Sequence, residues 1–229
     1  MHYVVSDIHG CYELFLKLLD KIGFSEDDTL YLLGDLMDRG PDGIRVMQDV
    51  MRRKNVKPIL GNHEDMFRYA VTSYGKKLPL AERIKANGNF HNWTANNGGD
   101  VTWNAWRALS EPEQQAIIEY VNSFSLYREL TVGENRFLLV HAGVGSCAPD
   151  KNPADCTLYE LIWKRMDYDK TYYPDKFLVT GHTPTVLIDP SCSGRFFRRN
   201  NHIAIDCGAV FLGTLGCLCL ETLKEIYVS

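Results

Sequence analysis

The sequence predicts an α/β protein, a four-layer α/β/β/α sandwich carrying a helical insertion, and three observations predict it. Apolar strand-like runs alternate with helix-period segments through the N-terminal third. Short, closely spaced strand-like runs fill the C-terminal end. Five strand-like runs each lead directly into a loop carrying Asp, Asn or His, the arrangement by which open α/β sheets gather residues in one crevice.

Residues 2–6 read as a short buried strand, followed by the loop Asp7-Ile8-His9-Gly10. Residues 13–22 place Leu14, Phe15, Leu18, Leu19 and Ile22 at helical spacing, and Gly23 is a stop signal. The pattern recurs. A strand at 29–33 ends at Gly34-Asp35, with a helix at 44–51; a strand at 56–60 ends at Gly61-Asn62-His63, with a helix from Glu64. This alternation implies a largely parallel sheet with helices on its faces. Residues from about 65 to 135 break the rhythm with Trp93, Trp103, Trp106, Asn96-Asn97-Gly98-Gly99 and a helix-like stretch at 113–124. They read as a helical insertion over the loop edge of the sheet, either an inert cap or a substrate-recognising lid. Strands return at 136–140 and 176–180. The short runs at 194–198, 202–206, 216–220 and 225–228 suggest antiparallel strands finishing a second sheet.

A length of 229 residues suits one α/β domain over 1–229 with an insertion, and 45% apolar with 24% charged residues is ordinary for a soluble protein. The net charge of −4 argues against a nucleic-acid partner, and the basic runs Arg52-Arg53-Lys54 and Arg198-Arg199 are short enough to be solvated surface. The N-terminus lacks the pattern of a secretory signal, and no uninterrupted apolar stretch is long enough for a membrane span. A cytoplasmic protein is expected, its seven cysteines reduced. Cys217 and Cys219 share one face of a strand.

The chemistry rests on Asp7-Ile8-His9, on Gly34 to Gly40 (containing Asp35, Asp38 and Arg39), on Gly61-Asn62-His63-Glu64, on His141-Ala142-Gly143, and on Gly181-His182-Thr183. Each alone is weak; a single His at a strand end is more often structural. Together they demand one explanation. The flanking glycines permit the sharp bends that turn the next side chain into a crevice. Asp7, His9 and Asp35 can serve one metal ion, and Asp35, Asn62, His141 and His182 a second, with Asp35 shared. Oxygen and imidazole donors without thiolate suit Mn²⁺, Fe or Zn²⁺. Two dications offset by two carboxylates leave positive charge for a phosphate, and bound water is drawn from a pKa of about 15.7 towards 7. His63 is placed to protonate a leaving oxygen, Asp38 to hold its tautomer, and Arg39 to fork phosphate oxygens.

These motifs, running from Asp7 to His182, resemble the calcineurin-like metallophosphoesterases, and in particular the bacterial and phage branch of the PPP serine/threonine phosphatases. The resemblance implies two metal ions, commonly manganese, held by Asp7, His9, Asp35, Asn62, His141 and His182. It implies that His63 is a general acid paired with Asp38, and that Arg39 binds the phosphoryl group. Trp163-Lys164-Arg165 fits the phage pattern and makes Arg165 a second phosphate contact. Gly181-His182-Thr183-Pro184 is the prokaryotic form of the last motif, which argues against eukaryotic regulatory subunits. The implied activity is metal-dependent phosphomonoester hydrolysis by direct attack of activated water, as a serine/threonine protein phosphatase acting on a phosphoprotein or small phosphoester. The rival is a diadenosine-tetraphosphate hydrolase on the same scaffold. Its symmetrical branch typically carries Ala where Asp38 stands, so Asp38 ranks the phosphatase first. A nuclease lacks a basic groove here. A non-catalytic binding module would be expected to have lost ligands that this chain keeps.

Overall fold

The computed structural model describes residues 1–145 and 151–229. Its strands are β1 (His2–Val5), β2 (Thr29–Leu32), β3 (Val56–Pro58), β4 (Tyr127–Val132), β5 (Asn135–Val140), β6 (Phe177–Thr180), β7 (Phe197–Arg199), β8 (His202–Ala204), β9 (Leu215–Cys219) and β10 (Glu225–Val228). They form two five-stranded mixed sheets, ordered β10-β9-β1-β2-β3 and β4-β5-β6-β8-β7. Strands β1, β2 and β3 pair in parallel, as the strand–helix alternation requires; β5, β6 and β8 are the parallel centre of the second sheet.

Side-chain alternation along the strands builds the layers. Tyr3 and Val5 of β1 and Cys217 and Cys219 of β9 face one apolar cluster, shared with helices α1 (Tyr12–Ile22) and α2 (Gly43–Arg52). Val4 and Leu218, between them in sequence, face a second cluster with Phe137 and Leu139 of β5. Leu138 and Val140 face a third, under Leu161 and Ile162. Three apolar interfaces separate helix, sheet, sheet and helix, so the fold is the expected four-layer α/β/β/α sandwich. The helix α1 closes where expected, with Gly23 in the left-handed conformation at φ 62°.

Helix α3 (Asn62–Ser73) begins two residues earlier than expected, so Asn62 and His63 sit in its first turn. Helices α4 (Leu80–His91), α5 (Gly99–Trp106) and α6 (Glu111–Asn122), with a π turn at Asn92–Asn96, follow it. They pack through Phe67, Tyr74, Phe90, Trp93, Trp103 and Trp106, whose rings lie edge-on or stacked. The helical stretch ends at Asn122, short of residue 135, because residues 127–132 form β4, the hairpin partner of β5. The last two strands also differ from expectation. Strand β9 pairs with β1 and β10 with β9, so they complete the first sheet; only the β7–β8 hairpin finishes the second. Helix α7 (Leu158–Ile162) precedes the Trp163–Arg165 segment, and α8 (Thr185–Ile188) and α9 (Ala209–Leu212) are single short turns.

Six cysteines are described, all as free thiols, with Cys207, Cys217 and Cys219 buried; the seventh, Cys147, lies outside the described residues. Among the described residues no helix is long and apolar enough to cross a membrane.

Candidate metal and phosphoester site

The five loops are stitched together at the carboxyl ends of their strands. Asp7 N–H donates to Gly34 O, His9 N–H to Asp35 O, and Gly181 N–H to His141 O. Their backbones are unusual. Asp7, His9, Asp35, Asp38, Arg39 and His182 all adopt positive φ, between 45° and 70°. Such residues cost of order 1–3 kcal/mol each and persist where the surroundings over-determine them. Six of the ten candidate residues share this strain, which aims their side chains away from the continuing chain. Gly34, at φ 87°, passes so close to Gly61 that a Cβ at either position would strike the other loop or Asp35.

Asp35 sits between two groups of side chains. Its Oδ2 lies 3.6 Å from His9 Nε2 and 3.9 Å from His63 Nε2; its Oδ1 lies 3.4 Å from His141 Nε2. Potential ligand atoms of His9, Asp35 and His63 form one close cluster, and those of Asp35, His141 and His182 a second. Asn62 Oδ1 is 2.9 Å from both His141 Nε2 and His182 Nδ1. Asp7 is turned differently from the expected trio: its carboxylate accepts His182 N–H at 3.0 Å and the Ser6 hydroxyl. It remains near enough to Asp35 to raise that group's proton affinity by repulsion.

The donor set fits cations. His141 Nδ1 lies 2.6 Å from Leu33 O, His9 Nδ1 3.0 Å from Met37 O and His182 Nε2 3.0 Å from Trp163 O. Each carbonyl takes the one N–H of a neutral imidazole, which leaves the opposite nitrogen's lone pair aimed inward. Two of these lone pairs meet the Asn62 oxygen, and one of those also faces Asp35, a convergence of acceptors that a metal ion satisfies. Burial lowers the proton affinity of His9 and His141 and takes His182 to a pKa of about 2, so these rings are neutral. Burial, then Asp7, holds Asp35 well above the usual carboxylate range. Buried acids and neutral imidazoles together call for positive charge from outside the chain.

His63 stands apart chemically. Its Nδ1 is 2.7 Å from Asp38 Oδ2, while its buried Nε2 has no hydrogen-bond partner among the described residues. Burial keeps His63 well below the ordinary imidazole pKa and pushes Asp38 up to about 7. Arg39 places Nη1 2.6 Å from His9 Nε2. Arg165 shares with it a cleft of about 580 Å³, lined also by Asp35, Asn62, His182, Tyr159, Trp163 and Phe211.

Three residues with no role assigned from sequence hold this arrangement. Buried Glu64 accepts N–H bonds from Asp35 and Leu36 at 2.8 Å and from Gly61 at 3.1 Å, locking the two loops together. Its place three residues after Gly61, at the third helical position, is a capping signal that could have marked it. Trp93 Nε1–H donates to Asp38 Oδ2 at 2.6 Å, and the Asp38 N–H donates to Thr102 Oγ1 at 3.0 Å. Both come from the helical stretch after α3, which also accepts Arg39 N–H at Gly98 O. That stretch therefore grips the loop carrying Asp38 and Arg39.

Two sheets meeting at a strained His/Asp/Asn cluster, with two arginines above it, define an α/β/β/α hydrolase scaffold of the metallophosphoesterase class. The chain belongs to the calcineurin-like phosphoesterase family, whose profile matches residues 3–208. It is a hydrolytic enzyme of a family that uses divalent metal ions. The asymmetrical bis(5'-nucleosyl)-tetraphosphatase PrpE of Halalkalibacterium halodurans is 26% identical over 94% of this chain and 88% of its own length. A symmetrical bis(5'-nucleosyl)-tetraphosphatase of an Acidovorax species is 33% identical over 62% of this chain, and that match spans only 43% of the relative. Among solved structures, a protein provisionally assigned as a diadenosine tetraphosphatase superposes with a TM-score of 0.70 at 18% identity, covering 99% of this chain and 92% of that one. A serine/threonine phosphatase of Saccharomyces cerevisiae gives 0.60 at 16% identity, covering 99% and 78%. At these identities the structural matches speak for the fold.

Proposed function

We propose that the chain is a cytoplasmic, two-metal hydrolase of dinucleoside polyphosphates, the reading that the sequence ranked second to a protein phosphatase. Asp38 distinguishes this chain from the symmetrical enzymes alone, and the relative matched along nearly the whole chain bears the asymmetrical name. One observation carries the reading. The cleft that holds Asp35, Asn62 and His182 also holds two guanidiniums and an exposed apolar wall, with Tyr159 63% and Phe211 66% exposed. Cations beside flat apolar rings suit a polyanion that ends in a nucleobase. Arg39 also lies 5.3 Å from the Phe211 ring centre, which ties wall and cation together.

In this reading Asp7, His9 and Asp35 would hold one divalent ion, and Asp35, Asn62, His141 and His182 would hold another, manganese being preferred over iron or zinc. The ions, when bound, draw charge from the phosphate oxygens and make water nucleophilic near neutral pH. Arg39 and Arg165 orient the phosphoryl group. A phosphate anion beside His63 Nε2 restores the proton affinity that burial removes, and Asp38 holds the ring with Nδ1–H towards it. Water adds across the P–O bond: its oxygen bonds to phosphorus as the bond to the leaving oxygen breaks, the proton it loses goes to solvent, a proton passes from Nε2 to the leaving oxygen, and Nε2 is reprotonated from solvent.

The test is a substrate panel in Mn²⁺: diadenosine tetraphosphate, p-nitrophenyl phosphate and a phosphoserine peptide. The dinucleotide is expected to give the highest kcat/KM. A clear preference for the phosphopeptide would return the assignment to a protein phosphatase. Product analysis, two ADP or ATP plus AMP, fixes the cleavage position.

A further inference from the structure

The catalytic cleft is not the only hollow at this end of the molecule. A second, of about 660 Å³, lies on the other side of Trp163, and Trp163 lines both. Its floor is the exposed face of α3. Asp65, Met66, Tyr69 and Thr72 follow Asn62 at intervals of three, four, seven and ten residues, which puts all five on one side of the helix. The groove therefore starts one turn beyond a residue of the metal cluster and runs about 10 Å along the helix to Thr72. Lys85 and Asn89 of α4 form its far wall, both exposed. Arg68, also of α3, is paired with Asp65 at 2.7 Å, so those charges offset one another and Lys85 leaves the lining net positive.

We propose that this groove holds the second nucleoside end of a two-ended polyphosphate substrate, the first end lying against Phe211 and Tyr159 in the catalytic cleft. The inference rests on the dinucleoside reading above and adds where the far end goes. The chemistry matches. Tyr69 and Trp163 offer ring faces for a base. Asn89 and Asn92 offer amide donors and acceptors for base edges or ribose hydroxyls, and Lys85 faces the phosphate chain. A phosphomonoester with nothing beyond its leaving group does not reach past Trp163 and has no use for the groove.

The experiment is the double variant Lys85→Ala, Asn89→Ala, two exposed positions outside the metal cluster whose replacement leaves the core untouched. On diadenosine tetraphosphate with Mn²⁺, kcat/KM is expected to fall about tenfold, mainly through KM, from the loss of two polar contacts. On p-nitrophenyl phosphate it is expected to stay within about twofold of the parent. Equal effects on both substrates, or no effect on either, would overturn the groove assignment while leaving the dinucleoside reading intact. A loss seen only on a phosphoserine peptide would give the groove to a peptide and overturn it too. If the unaltered enzyme fails to cleave the dinucleotide at all, the underlying reading fails first, and this inference with it.

Discussion

Trp93→Phe separates the helical stretch's mechanical role from its chemical one. Trp93 is fully buried, and its ring packs on Phe67 and Phe90 at centroid distances of 5.9 and 6.1 Å, contacts that Phe largely retains. What it loses is the 2.6 Å bond from Nε1–H to Asp38 Oδ2. Asp38 is fully buried, its Oδ1 has no partner among the described residues, and Oδ2 is shared with His63 alone once the indole is gone. A hydrogen bond to a charged group contributes about 1.5–3 kcal/mol. A loss of about 2 kcal/mol raises the Asp38 pKa by about 1.5 units, since one unit is 1.36 kcal/mol. Burial already lifts Asp38 to about 7, and the Trp93 bond works against that rise. The variant should therefore shift the acidic limb of its kcat–pH profile upward by about 1.5 units. Turnover at pH 7 should be about 10–30-fold below the parent, recovering towards pH 9, with metal content unchanged. A profile that is uniformly depressed at every pH, or one that does not move, would refute the argument that Trp93 acts through the Asp38 charge.

Four shorter tests accompany it. His63→Asn should keep its metals and lose about 10²–10⁴-fold in turnover on an alkyl phosphate, with a smaller loss on substrates whose leaving group needs no proton; a uniform loss across leaving groups would remove His63 from the acid role. Glu64→Gln replaces an acceptor of three backbone N–H bonds by a group that can accept only at one atom, so stability should fall by about 2 kcal/mol in urea titration and Mn²⁺ retention should weaken; an unchanged midpoint would contradict the locking role. Asp7→Asn should lower metal affinity, and full occupancy by elemental analysis would count against Asp7 as a ligand. His202 reports on pH: burial depresses it to about 3, its Nε2 meets Thr180 Oγ1 at 2.7 Å, and its Nδ1 has no partner among the described residues. Its neutral form is favoured in the folded state, so the stability it contributes is present above about pH 6.5 and is lost as pH falls towards 3. Between pH 7 and 5 the parent should lose about 2 kcal/mol more than His202→Gln, and identical pH slopes would exclude it.

The sequence shows most clearly what depends on local pattern. The strand ends at Asp7, Gly34, Gly61, His141 and Gly181 are read from apolar runs broken by glycine and polar residues, and the structure brings these loops to one end of the sandwich. Sheet membership was not legible for β9. A run such as Leu215 to Cys219 has the same alternation whichever sheet it joins, and only its pairing with β1, more than two hundred residues away, decides. The Asp38 environment was hidden for the same reason: Trp93 and Thr102 lie 55 and 64 positions from it and belong to a stretch with no motif of its own. The feature behind the proposed substrate was also hidden. Asp38 speaks to one branch of the tetraphosphatases, whereas the apolar wall at Phe211 and Tyr159 exists only once α7 and α9 are brought beside the metal cluster.

Asp35 presents its two carboxylate oxygens to two separate sets of imidazoles, and a two-metal centre here places one cation on each side of it. Anomalous diffraction at the manganese edge from crystals grown in Mn²⁺ reads this directly. Two peaks roughly 3.5–4 Å apart are predicted, one beside His9 and the other beside Asn62, His141 and His182, with Asp35 between them. A single peak, or peaks that do not share Asp35, would contradict the two-metal centre.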